Sequence, residues 1–230
     1  MQTFQHKWEA LQERIARSAE RAGRDPGDVT VVAVTKTRTP QEVEAALQSG
    51  LHSVGENRVQ EVESKKPQVD LSGCWHLIGH LQTNKAAKAV ALFDMVQSVD
   101  NLKLATALDR HAGLAERRLD ILVQVNTSGA AQQSGVSPDD LESLIALIAP
   151  LPHLRLCGLM TIGAHSDEEA IVRASFSQLR QARDRLANLG IDGIELDCLS
   201  MGMSNDFEWA IAEGASMLRL GSVLFGPRNT

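Results

Sequence analysis

The sequence predicts a single (β/α)8 TIM barrel, and three observations predict it. Short apolar or β-branched runs alternate with amphipathic stretches, the pattern of parallel strands returned by helices. There are eight such runs, and segments such as VVAV and ILVQV are hydrophobic on both faces, as strands buried on both sides require. The length of 230 residues fits one barrel, which ordinarily takes ~200–250 residues.

The runs fall at 30–36, 53–57, 74–79, 95–100, 120–126, 155–162, 194–201 and 217–221. Between them, 40–49, 84–91, 101–114, 138–148, 167–189 and 206–213 read as helices. Start signals stand at Thr39-Pro40 with Glu42 close behind and at Ser137-Pro138; Gly50, Gly190 and Gly214 follow helical runs. Residues 1–24 open with Phe4, Trp8, Leu11, Ile15 and Ala19 at helical spacing, an amphipathic helix packed on a domain that spans 1–230. A doubly wound sheet is the alternative topology, but no GxGxxG follows the first run.

Composition removes several function classes. A net charge of −6 disfavours a nucleic-acid surface, which selects basic patches. No apolar stretch approaches the ~18 residues of a membrane span, and Glu9, Glu13 and Glu20 break any secretory signal. Cys74, Cys157 and Cys198 are odd in number and far apart, so neither a disulfide framework nor a zinc site is indicated. A cytoplasmic monomer is the expectation.

A barrel's site lies where its strands end, and polar residues gather there. Lys36 ends TVVAVTK on the parity of Val32 and Val34, so it projects from an apolar wall into the mouth. An amine there, deprotonated by desolvation or a nearby cation, suits Schiff-base chemistry. An ordinary ion pair with Glu56 is the other use for it. After the seventh run comes Ser200-Met201-Gly202-Met203-Ser204, and the eighth runs into Arg219-Leu220-Gly221-Ser222. Loops after strands seven and eight frequently bind phosphate, with glycines admitting the anion and a helix start presenting N–H groups. Glycines that merely turn the chain are the plainer reading.

Other candidates carry less. His76 and His80 lack a third metal ligand at suitable spacing and read as structural or supporting histidines. Cys157 and Cys198 lie inside runs and read as small core residues. Glu195 and Asp197 share one strand face with no assigned role.

Six ordered blocks are familiar: AVTK at 33–36, VGENRVQE at 54–61, HLIGHLQTNK at 76–85, GLMTI at 158–162, LSMGMSNDFEWAI at 199–211 and RLGSVLFGPR at 219–228. From about residue 30 onward the chain resembles the YggS/PROSC family of pyridoxal 5'-phosphate (PLP) homeostasis proteins. The resemblance implies a barrel of the alanine racemase N-terminal type, with PLP as an internal aldimine on Lys36. It implies that Ser200, Ser204, Gly221 and Ser222 hold the phosphate and that Asn57 lies beside the ring. Arg219 then lies near the pyridine nitrogen or the phosphate. The chain departs from the family at Thr35, often serine, at His80, often proline, at Ala130 and Gln133, often acidic and basic, and at Gly163-Ala164, where relatives continue with proline.

Two functions from different classes follow. One is a non-enzymatic protein that buffers PLP or delivers it to apo PLP-dependent enzymes. The other is a PLP-dependent amino-acid racemase, which needs an acid–base group on each side of the substrate's α-carbon. Related two-domain racemases use the lysine on one face and a tyrosine from a second domain on the other. This chain has no tyrosine and is expected to end with the barrel, so the first function is favoured. A class I aldolase using Lys36 without PLP is a third reading.

Overall fold

In the computed structural model, which describes residues 3–130 and 132–227, eight strands close into a barrel in chain order. They are β1 (Thr30–Val34), β2 (Ser53–Glu56), β3 (Cys74–Leu77), β4 (Met95–Val99), β5 (Leu119–Gln124), β6 (Leu154–Met160), β7 (Cys198–Ser200) and β8 (Met217–Leu220). Every neighbouring pair is parallel, and β8 returns to β1 with Thr30 opposite Met217 and Ala33 opposite Leu220. Closure removes the doubly wound alternative.

The helices are α1 (Phe4–Arg21), α2 (Pro40–Gln48), α3 (Val59–Lys65), α4 (Ala86–Leu92), α5 (Leu102–Leu114), α6 (Leu141–Ile148), α7 (Glu169–Asn188), α8 (Phe207–Ala212) and α9 (Ser222–Phe225). The start at α2 is a full capping box: Thr39 Oγ1 accepts from the Glu42 amide at 3.2 Å, and Glu42 accepts from the Thr39 amide at 2.8 Å. The sequence reading did not single out α3 and α9.

Alternation along the strands separates two interiors. Outward residues such as Val31, Ala33, Val54, Trp75, Leu77, Ile121, Val123, Leu199 and Leu218 join one large core with the buried helix faces. Met95, Leu122 and Met160, with Cys157, Cys198 and Met217 against them, form a separate small cluster. That second cluster fills part of the barrel interior, on the opposite parity.

Of the boundaries that differ from the sequence reading, two bear on the strand ends that matter here. β7 is only Cys198–Ser200, because 194–197 run beside β6 with little pairing, the Glu195 amide reaching Leu156 O at 2.8 Å. β1 ends at Val34, and Lys36 sits two residues past it in a turn rather than on the strand.

Helix α1 lies against α8 and α9, the layer behind the last two strand ends. Trp8, Leu11, Ile15 and Ala19 are buried there. Arg14 bonds Glu208 at 3.1 Å and lies over the Phe207 ring, while Arg24 reaches the carbonyls of Ile211 and Ala215. Among the described residues no helix is long and apolar enough to cross a membrane.

Candidate cofactor site at the strand ends

On β1, Val32 faces the barrel interior, where a Cβ on Gly55 would lie 2.8 Å from its Cγ1. Lys36 continues that parity two residues past Val34 and is half-buried. Thr35, between them, points the other way, and its hydroxyl donates to Glu56 Oε1 at 2.8 Å. Glu56 is buried on this outer side, where Lys65 from the end of α3 holds the same oxygen at 2.8 Å. Glu56, the carboxylate the sequence offers to Lys36, is thus held by Lys65.

Across the mouth, the chain after β7 turns at Gly202, whose φ is +91° and whose Cβ would lie 2.5 Å from Ala210 Cβ. No other residue fits there without a shift. The turn delivers Ser204, and its Oγ accepts from the Gly221 amide at 3.2 Å and the Val223 amide at 3.3 Å. Those amides belong to the start of α9, with Ser222 exposed between them. Ser204, Gly221 and Ser222 are therefore brought together as the sequence reading expects. Asn57 follows β2, and Gly79 packs so closely over it that a Cβ would lie 2.3 Å from Asn57 O.

Ser200 is not part of that group. It is fully buried at the end of β7, and its hydroxyl lies inside the barrel between two partners. Arg219 Nη1 donates to Ser200 Oγ at 2.7 Å, and Ser200 Oγ donates to Gln97 Oε1 at 2.7 Å. Because arginine can only donate, this order leaves the Gln97 amide nitrogen to donate to His76 Nδ1 at 2.8 Å. The chain of bonds fixes the tautomer: His76 carries its proton on Nε2, which has no hydrogen-bond partner among the described residues. Burial pushes the His76 imidazole down to about 4, against the opposing pull of Asp94 and Asp120, so the ring is neutral.

Arg219 itself is 5% exposed, on the inward parity of β8. Its hydrogen bonds end on the Ser200 hydroxyl and on Thr161 O at 2.7 Å, neither of them charged. Burial lowers its pKa to about 10 despite the field of Asp206. A buried cation bonded only to neutral acceptors is unusual, since burial of a charge costs several kcal/mol.

The remaining candidates stay minor. His80 is exposed, 3.8 Å from Asp100, and the described residues contain no group of three metal-binding side chains. Burial raises the Cys157 thiol to about 11 and the Cys198 thiol to about 12, so neither is a nucleophile. Gln97, Glu61 and Lys65 were missed by the sequence reading. Gln97 was detectable, being a polar residue on the inward parity of the apolar run MVQSV. Arg228, which ends the last familiar block, and Ala131, within the loop 126–135, lie outside the described residues.

A parallel barrel with a lysine just past β1, an inward arginine on β8 and convergent amides at the following helix defines a class. The chain belongs to the alanine racemase N-terminal domain family, whose model matches residues 7–229. Within it, the chain stands among the pyridoxal phosphate homeostasis proteins; that of Pseudomonas aeruginosa is 45% identical over 219 residues, covering 94% of this chain and 92% of the relative. The structure of PipY from Synechococcus elongatus PCC7942, solved with PLP bound, matches with a TM-score of 0.82 at 35% identity, over 94% of this chain and 100% of that one. Alanine racemase from Corynebacterium glutamicum matches with a TM-score of 0.72 at 15% identity, over 99% of this chain and 61% of that one, which is likeness of fold alone.

Proposed function

We propose that this chain, one PLP-binding barrel domain over 1–230, binds PLP through Lys36 and serves PLP homeostasis by holding or delivering the cofactor. The observation that carries the reading is the donor set at the strand ends. A half-buried lysine follows β1, two backbone amides converge on Ser204 at the start of α9, and a buried guanidinium has only neutral acceptors among the described residues. Those groups match an aldehyde, a phosphate and an aromatic nitrogen in turn.

Bound there, PLP supplies an aldehyde that bonds reversibly to an amine. The protein's own part is to hold Lys36, half-buried, just past the end of β1. Ser204, Gly221, Ser222 and the Val223 amide are assigned to the phosphate by the dipole and N–H groups of the α9 start. Ser200 supports that arrangement from below by holding Arg219. We assign Arg219 to the pyridine nitrogen rather than the phosphate, because its guanidinium is anchored on Ser200 and Thr161 inside the barrel. A fixed cation there disfavours a proton on the ring nitrogen and makes the ring a weaker electron sink than a carboxylate would. Asn57 is assigned to the ring's flank.

The reading is of a carrier, not an enzyme: a monomer of the cytoplasm whose partners are PLP and apo PLP-dependent enzymes. The sequence contains no tyrosine to stand opposite Lys36, the group a racemase of this fold would use. Mass and absorbance of the purified chain before and after borohydride reduction, followed by peptide mapping, test the assignment. A reduced adduct on Lys36, lost in Lys36→Ala, is expected; a covalent adduct retained by Lys36→Ala would sink it. Sedimentation at several concentrations checks the monomer.

A further inference from the structure

The turn that carries Lys36 is held from behind by three charged side chains that the proposed cofactor site does not use. Thr37, next to Lys36, has φ +64°, a left-handed conformation that a β-branched residue rarely adopts. Such strain persists only where the surroundings over-determine it. Here they do. Lys65 Nζ donates to Thr35 O at 2.8 Å and to Glu56 Oε1 at 2.8 Å. Glu56 Oε1 also accepts from the Thr35 hydroxyl, and Glu61 Oε2 accepts from the Thr37 amide at 3.4 Å. Lys65 and Glu61 face each other at 3.6 Å, closing the group.

We propose that Glu56, Glu61 and Lys65 form a clamp that positions Lys36, gripping the residue on each side of it so that its amine is presented at the barrel mouth. None of the three touches the cofactor in this scheme; they are positioning residues. The clamp lies on the opposite side of the sheet from the mouth, on β2 and α3, and reaches Lys36 only through Thr35 and Thr37.

A shared proton completes it. Glu56 Oε2 is buried with no hydrogen-bond partner among the described residues. Burial and the neighbouring Glu61 carboxyl raise Glu56 to about 7, over the opposing effect of Lys65 and Thr35. A protonated Glu56 donates to Glu61, which satisfies the orphan oxygen and leaves Glu61 ionised to hold the Thr37 amide. Glutamine at 56 reproduces that protonated form, whereas a side chain without polar atoms does not.

This inference rests on Lys36 being the PLP lysine, so two readouts are needed. Amide exchange at Thr37 in the unloaded protein reads the clamp alone, and the rate of PLP release into an aminooxy trap reads its effect on Lys36. Lys65→Met should speed both by roughly tenfold, the ratio expected from losing a charged hydrogen bond. Glu56→Gln should leave both within about threefold of the wild type, since the amide keeps the hydrogen bonds of the protonated carboxyl. Should Lys65→Met fold poorly, Glu56→Leu/Lys65→Met replaces the buried pair by apolar side chains and should fold while still releasing PLP faster. A folded double variant with wild-type release overturns the proposal, as does faster exchange at Thr37 with unchanged release. A wild type that traps no PLP on Lys36 defeats the functional reading instead, and the exchange rates then decide on the clamp.

Discussion

A guanidinium buried as deeply as that of Arg219, bonded to neutral acceptors, carries a desolvation cost of several kcal/mol. An apolar side chain of similar length escapes that cost, which offsets the hydrogen bonds it loses. Arg219→Met should therefore leave the melting temperature of the unloaded chain unchanged or raised, while weakening PLP retention by ~1–3 kcal/mol. A variant that loses stability and keeps its PLP would show that Arg219 serves the barrel and not the cofactor. His76, at the other end of the same hydrogen-bonded chain, makes a separate prediction about pH. Burial holds its imidazole at about 4 in the folded protein against an ordinary value of 6.5, so between those values the unfolded chain binds a proton that the folded chain refuses. Stability is thus lost as pH falls from 6.5 toward 4, by at most about 3 kcal/mol. Denaturant unfolding at about pH 7 and about pH 4.5 should show this loss in the wild type and a smaller one in His76→Gln. Equal losses in both would mean that His76 is not the titrating group.

At the scale of elements, the helix the sequence places before the barrel turns out to stand behind the proposed phosphate cradle. Helix α1 touches α8 and α9, and Phe4 meets Phe225 at 5.2 Å between ring centroids. Leu11, 1% exposed, sits in the middle of that contact face. Leu11→Ala should cost about 2–5 kcal/mol, the usual range for a buried leucine. Because α9 starts with the amides assigned to the phosphate, the same change should weaken PLP retention under conditions where the chain stays folded. Urea midpoints and PLP release measured on the same preparation check the pairing; a destabilised variant with unchanged release would uncouple α1 from the site. The long amphipathic elements, α1, α5 and α7, were legible in the sequence because their buried stripe repeats over several turns. Helices α3 and α9 were not singled out, yet these two carry Lys65 and the converging amides.

For the whole molecule, what could be read from the sequence was the repeat and the chemistry at strand ends, because both obey local rules. Lys36, Ser204 and Gly221 each follow a strand or a turn recognisable by its neighbours. The chain Arg219–Ser200–Gln97–His76 joins four different strands, and no local pattern specifies which inward side chains meet across a closed barrel. Ser200 illustrates the limit: in the sequence it shares a loop with Ser204, but the strand parity turns its hydroxyl inward to Arg219. The same limit applies to function, because the fold is shared with racemases at 15% identity and says nothing of turnover. Turnover has to be argued from residues. Racemisation needs the substrate's α-proton removed on one face and returned on the other, with the resulting charge drawn into the ring. In the proposed site Lys36 serves one face, the sequence contains no tyrosine for the other, and Arg219, assigned to the ring nitrogen, would make the ring a poor sink for that charge. The PLP-loaded protein incubated with L- or D-alanine in deuterated water should therefore show no exchange of the α-proton by NMR. Appreciable exchange that Lys36→Ala abolishes would put a racemase in place of the carrier, and exchange from one enantiomer alone would show that a single face is served.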